Sequence, residues 1–358
     1  MAQDIDIERT LMKNLLILCF ILFGSLPILA QTTASQNIAP VTVGVVGIVQ
    51  GATHLNAKSQ TNDQIRFEEL ELNIQGKVYP DVDATLIVSV HPEDGEFGAS
   101  IENGFLEFSG IGDGLGATIG RQFVPFGKQN KLHPEQQSMI DRPAVISQFM
   151  GDENLIADGL SLGYILPLPF FSRLEVGHWK NTLSGTPSTL PFSPTGYLST
   201  ARLWSSIEVS DDTEVELGLS AIQGFGPQYA THRDDATVVG TDLTLRRFLG
   251  SKSRIMIQSE VLQLNRNVSD SAFSRTGGFL LANYRSETGW EVGLRYDHTQ
   301  LASIDGGNTV RDIAINVMQK FSETYFGQIE YVHNLVTNDP AIYGQIVFNL
   351  GSHNHAFQ

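Results

Sequence analysis

Charged and histidine side chains concentrate in one stretch of the chain, between residues 121 and 153. These side chains are Arg121, Lys128, Lys131, His133, Glu135, Asp141, Arg142, Asp152 and Glu153. Acids and bases at this density can select ions by charge, because a narrow passage with low-dielectric walls focuses the field of the nearest charges. The two signs are mixed, so the stretch does not supply the dense basic pathway that phosphate selectivity needs.

Two further histidines, His353 and His355, lie near the end of the chain. At this spacing both imidazoles face one side of a strand, where they could share a zinc ion. The sequence offers no identifiable third ligand, and the alternative is a solvated tail. For His133 the alternative to a functional role is a histidine packed within its loop.

The segments around these residues are predicted to be β-strands, sixteen in all from about residue 41. Loose connectors are expected at 53–65, 92–100, 123–157, 181–196, 225–235, 267–272, 301–309 and 336–340, and tight ones at 79–81, 110–114, 167–170, 210–212, 249–252, 287–288 and 322–324. Tight turns at one rim and long loops at the other are typical of a membrane-spanning barrel. The pattern predicts an all-β fold, a transmembrane antiparallel up-and-down β-barrel of about 16 strands.

Apolar and polar residues alternate with period two in several of these segments, most clearly in 66–78, 213–224, 289–298 and the last strand. The polar face is predicted to line a lumen. Its residues include Glu69, Glu71, Lys77, Glu214, Glu216, Asp242, Arg246, Glu291, Arg295 and Asp297. Acids outnumber bases on this face, which predicts weak cation preference or little selectivity. A single strand of this kind fits a soluble antiparallel β-protein equally well.

The N-terminus indicates export. Lys13 precedes the apolar run 15–23, and Ala30 is a plausible cleavage point, so residues 1–30 are predicted to be a signal peptide. The acidic residues 1–11 fit no signal, which makes Met12 an alternative start. We expect a short segment at 31–40 and a single barrel domain at 41–358, whose third external loop is 123–157.

Composition excludes several classes of protein. Cys19, in the predicted signal, is the only cysteine, so disulfides do not hold the mature chain together. The net charge of −16 argues against nucleic acid as a partner. No cofactor is expected.

One run of residues carries a family resemblance. The sequence from Gly120 to His133, followed by Asp141-Arg-Pro143, resembles the porin family that includes the phosphate-selective porins. It is similar above all to a group labelled zinc-regulated outer-membrane receptors, as is the ending from Gly351 to Phe357. The resemblance covers about residues 66–180 and the C-terminal strand. It implies an outer-membrane location, contact with membrane lipid, insertion by the barrel assembly machinery and, by analogy with general porins, a homotrimer.

These observations together predict an outer-membrane porin. Ions and small hydrophilic solutes would diffuse passively through a water-filled channel constricted by the loop 123–157. The nine charged and histidine residues named above, from Arg121 to Glu153, are predicted to lie at the constriction. The alternatives are a protein linked to zinc or phosphate uptake, a passive barrel with a blocked lumen, and a lipid-modifying enzyme. The enzyme is disfavoured although Ser161 lies in a Gly-x-Ser-x-Gly pattern, Gly159-Leu-Ser-Leu-Gly163, because that serine falls within a predicted strand and no partner base is identifiable for it.

Overall fold

The computed structural model describes residues 41–56, 64–93, 96–151, 154–180, 196–228, 233–268, 271–302 and 308–351. They form sixteen strands: β1 (Thr42–His54), β2 (Gln64–Tyr79), β3 (Val82–Glu93), β4 (Glu96–Gly112), β5 (Leu115–Phe123), β6 (Ile156–Ile165), β7 (Phe171–Lys180), β8 (Tyr197–Ser210), β9 (Thr213–Gln228), β10 (Arg233–Phe248), β11 (Arg254–Val268), β12 (Ser271–Arg285), β13 (Trp290–Gln300), β14 (Thr309–Lys320), β15 (Tyr325–Asn334) and β16 (Asp339–Gly351).

The strands close into a single barrel. Each strand pairs antiparallel with its neighbours in the sequence, and β1 pairs with β16 from Gly44↔Gly351 to His54↔Ala341. Closure leaves the sheet without an unpaired edge. The predicted all-β barrel of sixteen strands is therefore confirmed.

Several connectors are shorter than predicted. The loose connector expected at 92–100 lies mostly within strands, because β3 ends at Glu93 and β4 begins at Glu96. The connectors expected at 225–235, 267–272 and 336–340 shrink in the same way. Where a strand extends beyond the apolar belt, neither of its faces contacts lipid, so its residues need not alternate between apolar and polar. Backbone pairing continues in these strand ends although the sequence shows no period-two pattern there. The difference between the two rims is correspondingly smaller than the sequence predicted.

The two faces of the wall differ in chemistry. On β13 the inward residues Glu291, Arg295 and Asp297 are buried, whereas the outward residues Val292 and Leu294 are about half exposed. The same alternation runs through most strands, so the outer face carries a broad belt of exposed aliphatic and aromatic side chains. A belt of this kind is what lipid covers on a transmembrane barrel.

The connector from β5 to β6 lies inside the barrel. It contains 3-10 turns at Gln129–Lys131 and Pro134–Gln136 and one helix, α1 (Ala144–Met150). The buried face of α1 is Val145, Ile146, Phe149 and Met150. In the part of the chain that the structure describes, no helix is long and apolar enough to span a membrane.

An apolar patch on the inner wall receives this loop. The patch includes Ile222, Val238, Leu262, Phe279 and Leu281, which form one buried cluster with α1 and with Val124 and Phe126 at the start of the loop. Burying a side chain of this size contributes about 1.5–3 kcal/mol. The patch therefore holds the loop against the wall from β9 to β12.

Candidate functional site

The loop of residues 124–155 is anchored to the inner wall at several places around the lumen. On one side, Glu260 of β11 accepts hydrogen bonds from the backbone N–H groups of Lys128 at 2.8 Å and Gln129 at 2.7 Å. Gly127 makes this approach possible, because a Cβ at that position would lie 2.4 Å from a Glu260 carboxylate oxygen. Gly127 also has a φ of +55°, which favours glycine. The buried carboxylate thus holds the loop through its backbone.

A second anchor lies on β13 and β15. Glu330 accepts hydrogen bonds from the backbone N–H groups of Ile140 and Asp141, the latter at 3.2 Å. The guanidinium group of Arg295 forms ion pairs with Asp297 of β13, at 2.6 Å, and with Asp141 of the loop, at 2.8 Å. Arg295 is 1% exposed, so its charge depends on these two carboxylates for compensation.

The two ends of the loop meet at its base. The N–H of Val124 donates to the carbonyl of Leu155 at 2.8 Å. Asn130 bridges the same two residues, since its Nδ2 donates to the Val124 carbonyl at 2.9 Å and its Oδ1 accepts from the Leu155 N–H at 2.8 Å. The loop therefore leaves the barrel wall and returns to it at the same place.

His133 brings the loop to β2 and β4. Its Nδ1 lies 2.9 Å from Glu71 and 3.3 Å from Glu102. Burial alone would lower the pKa of His133, but the adjacent carboxylates of Glu102, Glu71 and Glu135 outweigh burial and raise this pKa well above its usual value.

Two cavities remain beside the loop. The basic cavity, of about 220 Å³, lies between the loop and the wall from β4 to β8. Its charged lining is Glu107, Lys128, Lys131, Arg173, Glu175 and Arg202. The acidic cavity, of about 210 Å³, lies between the loop and the wall from β16 to β4, and its lining includes Glu68, Glu69, Glu102 and Arg142.

The bases of the basic cavity are paired with acids. Lys128 contacts Glu216, Lys131 lies 3.5 Å from Glu175, and Arg202 lies 2.7 Å from Asp242. Burial, together with the nearby Arg246, lowers the pKa of Lys128, and Glu216 offsets only part of this. The positive charges beside this cavity are therefore largely balanced.

The structure places all ten residues predicted to line the lumen on the inner face. Glu69, Glu71, Glu216, Asp242, Glu291, Arg295 and Asp297 are buried there, and Lys77, Glu214 and Arg246 are half-buried. Lys77 pairs with Asp83 at 3.1 Å, and Arg246 pairs with Glu214 at 3.2 Å. Their part in a conducting path stays a prediction.

Most residues expected at the constriction lie in or beside the inserted loop, but Arg121 does not. Its register pairs it with Asp158, on the face of β5 and β6 that also carries the half-exposed Ile119 and Leu160. This is the outer face, where Arg121 binds Asp158 at 2.7 Å. The prediction that Arg121 lies at the constriction is wrong: Arg121 adjoins the loop in sequence, but period-two alternation in β5 turns its side chain outward.

Four predicted residues fall outside the described residues. They are Asp152 and Glu153, at the end of the loop, and His353 and His355, which were predicted as metal ligands. The expected signal peptide and the segment 31–40 also fall outside this range. These assignments remain predictions.

Sequence reasoning missed several residues at the site. Arg173 and Glu175 on β7 alternate with the exposed Leu174 and Val176, a period-two signal that could have found them, whereas on β8 small and polar residues on both faces of the strand hide the position of Arg202. Glu102 lies at a β-bulge, since Ile87 pairs with Asn103 and the next residue, Val88, pairs with Ile101. A bulge directs an additional side chain inward, and the period-two pattern contains no signal for it.

Comparison with known proteins gives one distant relative in sequence and several solved structures of similar fold. No protein-family model matches the chain. An uncharacterized protein of Aquifex aeolicus (strain VF5) is 23% identical over 316 residues, which is 78% of this chain and 64% of that protein. The chain thus spans less than two thirds of that relative's length.

Solved structures are similar in fold. An anion-selective porin from Comamonas acidovorans superposes with a TM-score of 0.57 at 12% identity, covering 87% of this chain and 100% of that one. The trimer form of OmpT, an outer membrane protein of Vibrio cholerae, gives 0.58 at 10% identity, covering 87% and 100%. At these identities the likeness is one of fold. A grouping with zinc-regulated receptors is not shown.

Proposed function

We propose that this chain is an outer-membrane porin through which ions and small hydrophilic solutes diffuse passively. The observation that carries the proposal is the position of the loop 124–155, which crosses the lumen and leaves a charged cavity on each side. Loops of this length tend to carry function, and charged constrictions select ions in channels. The apolar belt on the outside supports a location in lipid.

The charge around the two cavities supports weak cation preference. Each base named in the basic cavity has an acidic partner, for example Lys131 with Glu175. In the acidic cavity, Glu69 and Glu102 lie beside Glu71 and Glu135, with the imidazole of His133 among these four carboxylates. Acid excess repels anions within a narrow passage. A phosphate pathway is therefore disfavoured, and zinc or phosphate uptake remains the second candidate.

The remaining expectations belong to the same proposal. Export by the signal 1–30, insertion by the barrel assembly machinery and a homotrimer all fit a porin, and outer-membrane proteins with this fold include a trimer. Enzymatic activity is disfavoured because Ser161, the best candidate nucleophile in the sequence, is 2% exposed on the inner face of β6, away from lipid.

Reversal potentials across a planar bilayer test the function. We expect stepwise conductance with a small preference for cations when the mature chain is recorded under a potassium chloride gradient in chelator. Strong anion preference would contradict the excess of acidic side chains that we assign to the passage. Folded protein that conducts nothing, or that hydrolyses phospholipid or transfers its acyl chains, would contradict the porin.

A further inference from the structure

Five ionisable side chains meet inside the barrel where the loop contacts β2 and β4. They are Glu69, Glu71, Glu102, His133 and Glu135. The potential ligand atoms of Glu71, His133 and Glu135 all lie within 4.8 Å of one another, and so do those of Glu69, Glu71 and Glu102. Glu71 belongs to both groups and lies at the centre of the cluster.

Glu71 has only part of the compensation that a buried carboxylate needs. It is 1% exposed, and within the described part of the chain its Oε1 has no hydrogen-bond partner. The imidazole of His133 approaches at 2.9 Å, but that one ring faces four carboxylates. Buried carboxylates are costly unless they are paired with a cation or bound to a metal. Glu71 therefore keeps one buried carboxylate oxygen that a bound cation could satisfy.

Two β-bulges lie beside this cluster, and one of them adds a carboxylate to it. One bulge inserts Glu102 into β4, and its carboxylate reaches the hydroxyl of Ser89 on β3. The other lies in β2, where Ile48 pairs with Glu69 and the next residue, Val49, pairs with Phe67, so that the inserted residue is Glu68, which lines the neighbouring acidic cavity. Bulges re-aim side chains and recur beside functional sites. The backbone pairing of the barrel is therefore irregular on both β2 and β4, the two strands that supply carboxylates to the cluster.

We propose that Glu71, His133 and Glu135, with Glu69 and Glu102 beside them, bind a divalent transition-metal ion. Carboxylates alone suit calcium or magnesium, whereas an imidazole added to carboxylates favours ions such as manganese and zinc. Metal–ligand bonds of about 2.0–2.2 Å place neighbouring ligand atoms within about 4 Å of each other, so small side-chain rotations complete the site. The ion would join the loop, through His133 and Glu135, to β2 and β4.

Manganese binding to the folded barrel tests this site. After treatment with chelator and its removal, the purified protein in detergent is titrated with Mn²⁺, and the six-line resonance of free Mn²⁺ is followed by electron paramagnetic resonance. We expect saturable loss of the free signal. Zinc should displace Mn²⁺ at near-stoichiometric concentration, and calcium or magnesium only in large excess.

Matched variants assign the ligands. Glu71→Gln and His133→Gln should each weaken Mn²⁺ binding by at least about tenfold. Glu291→Gln removes a carboxylate equally buried in the same barrel but outside the cluster, and should leave binding unchanged. Heat-modifiable gel mobility and circular dichroism confirm that each variant is folded. A second substitution at the cluster, Glu135→Gln, keeps the test informative if Glu71→Gln does not fold.

Three results would contradict the proposed metal site. They are absence of binding by the folded wild type, wild-type affinity in the folded cluster variants, and displacement of Mn²⁺ by calcium as readily as by zinc. The titration measures no transport, so its failure is separate from failure of the porin proposal.

Discussion

Replacing residues 126–153 with a short glycine-serine turn should raise the single-channel conductance several-fold. The loop crosses the lumen, so removing it joins the basic and acidic cavities into one wide passage. The replacement is geometrically feasible because the N–H of Val124 donates to the carbonyl of Leu155 at 2.8 Å, which places the two ends side by side. Single-channel recording in a planar bilayer measures the effect.

The control is the same linker placed in the turn 335–338, between β15 and β16 at the same rim. That variant should conduct like the wild type. The loop replacement also uncovers the apolar inner patch around Ile222 and Leu262, so we expect a lower unfolding temperature. Wild-type conductance from a folded barrel without the loop would show that the loop does not limit the passage.

The substitution Arg295→Met should destabilise the folded protein by about 3–5 kcal/mol, the cost of leaving buried charges without their partner. Methionine keeps much of the side-chain length but removes the cation between Asp297 and Asp141. Glu330 lies close to this group and also holds the loop. Unfolding in urea from lipid vesicles, followed by tryptophan fluorescence, measures the loss.

Arg247→Met is the matched control. Arg247 lies 3.5 Å from Asp212 at a rim turn, where both side chains are about half exposed. Exposed pairs contribute about 0–1 kcal/mol, so this variant should unfold almost like the wild type. Equal losses in the two variants would mean that Arg295 is hydrated in the lumen and not compensated as a buried charge.

The strand pattern was predictable because each strand has one face toward lipid and the other toward the lumen. That constraint imposes period-two alternation, so Glu71 on β2 and Glu291 on β13 could be placed inward from the sequence. The constraint ends where pairing is irregular. Glu102 lies at a bulge, and no pattern of apolar residues records that change of register.

The contacts of the loop were not predictable from alternation. The length of the segment and its charges indicated a constriction, but Glu260 and Glu330 bind it through backbone N–H groups, which every non-proline residue offers. The apolar patch on the inner wall was hidden for a related reason. Residues such as Leu262 and Leu264 alternate with polar outward residues, Gln263 and Asn265, and so weaken the usual pattern of a lipid-facing strand.

Two neighbouring positions on β5 test most directly whether a water-filled path runs beside the loop. Thr118 lines the basic cavity, whereas Ile119 is half exposed on the outer face. With Cys19 in the predicted signal, the mature chain is a cysteine-free background. A charged methanethiosulfonate reagent should reduce the single-channel conductance of Thr118→Cys and leave that of Ile119→Cys unchanged. Block of Ile119→Cys but not Thr118→Cys, or of neither despite steady conductance, would contradict a path through that cavity.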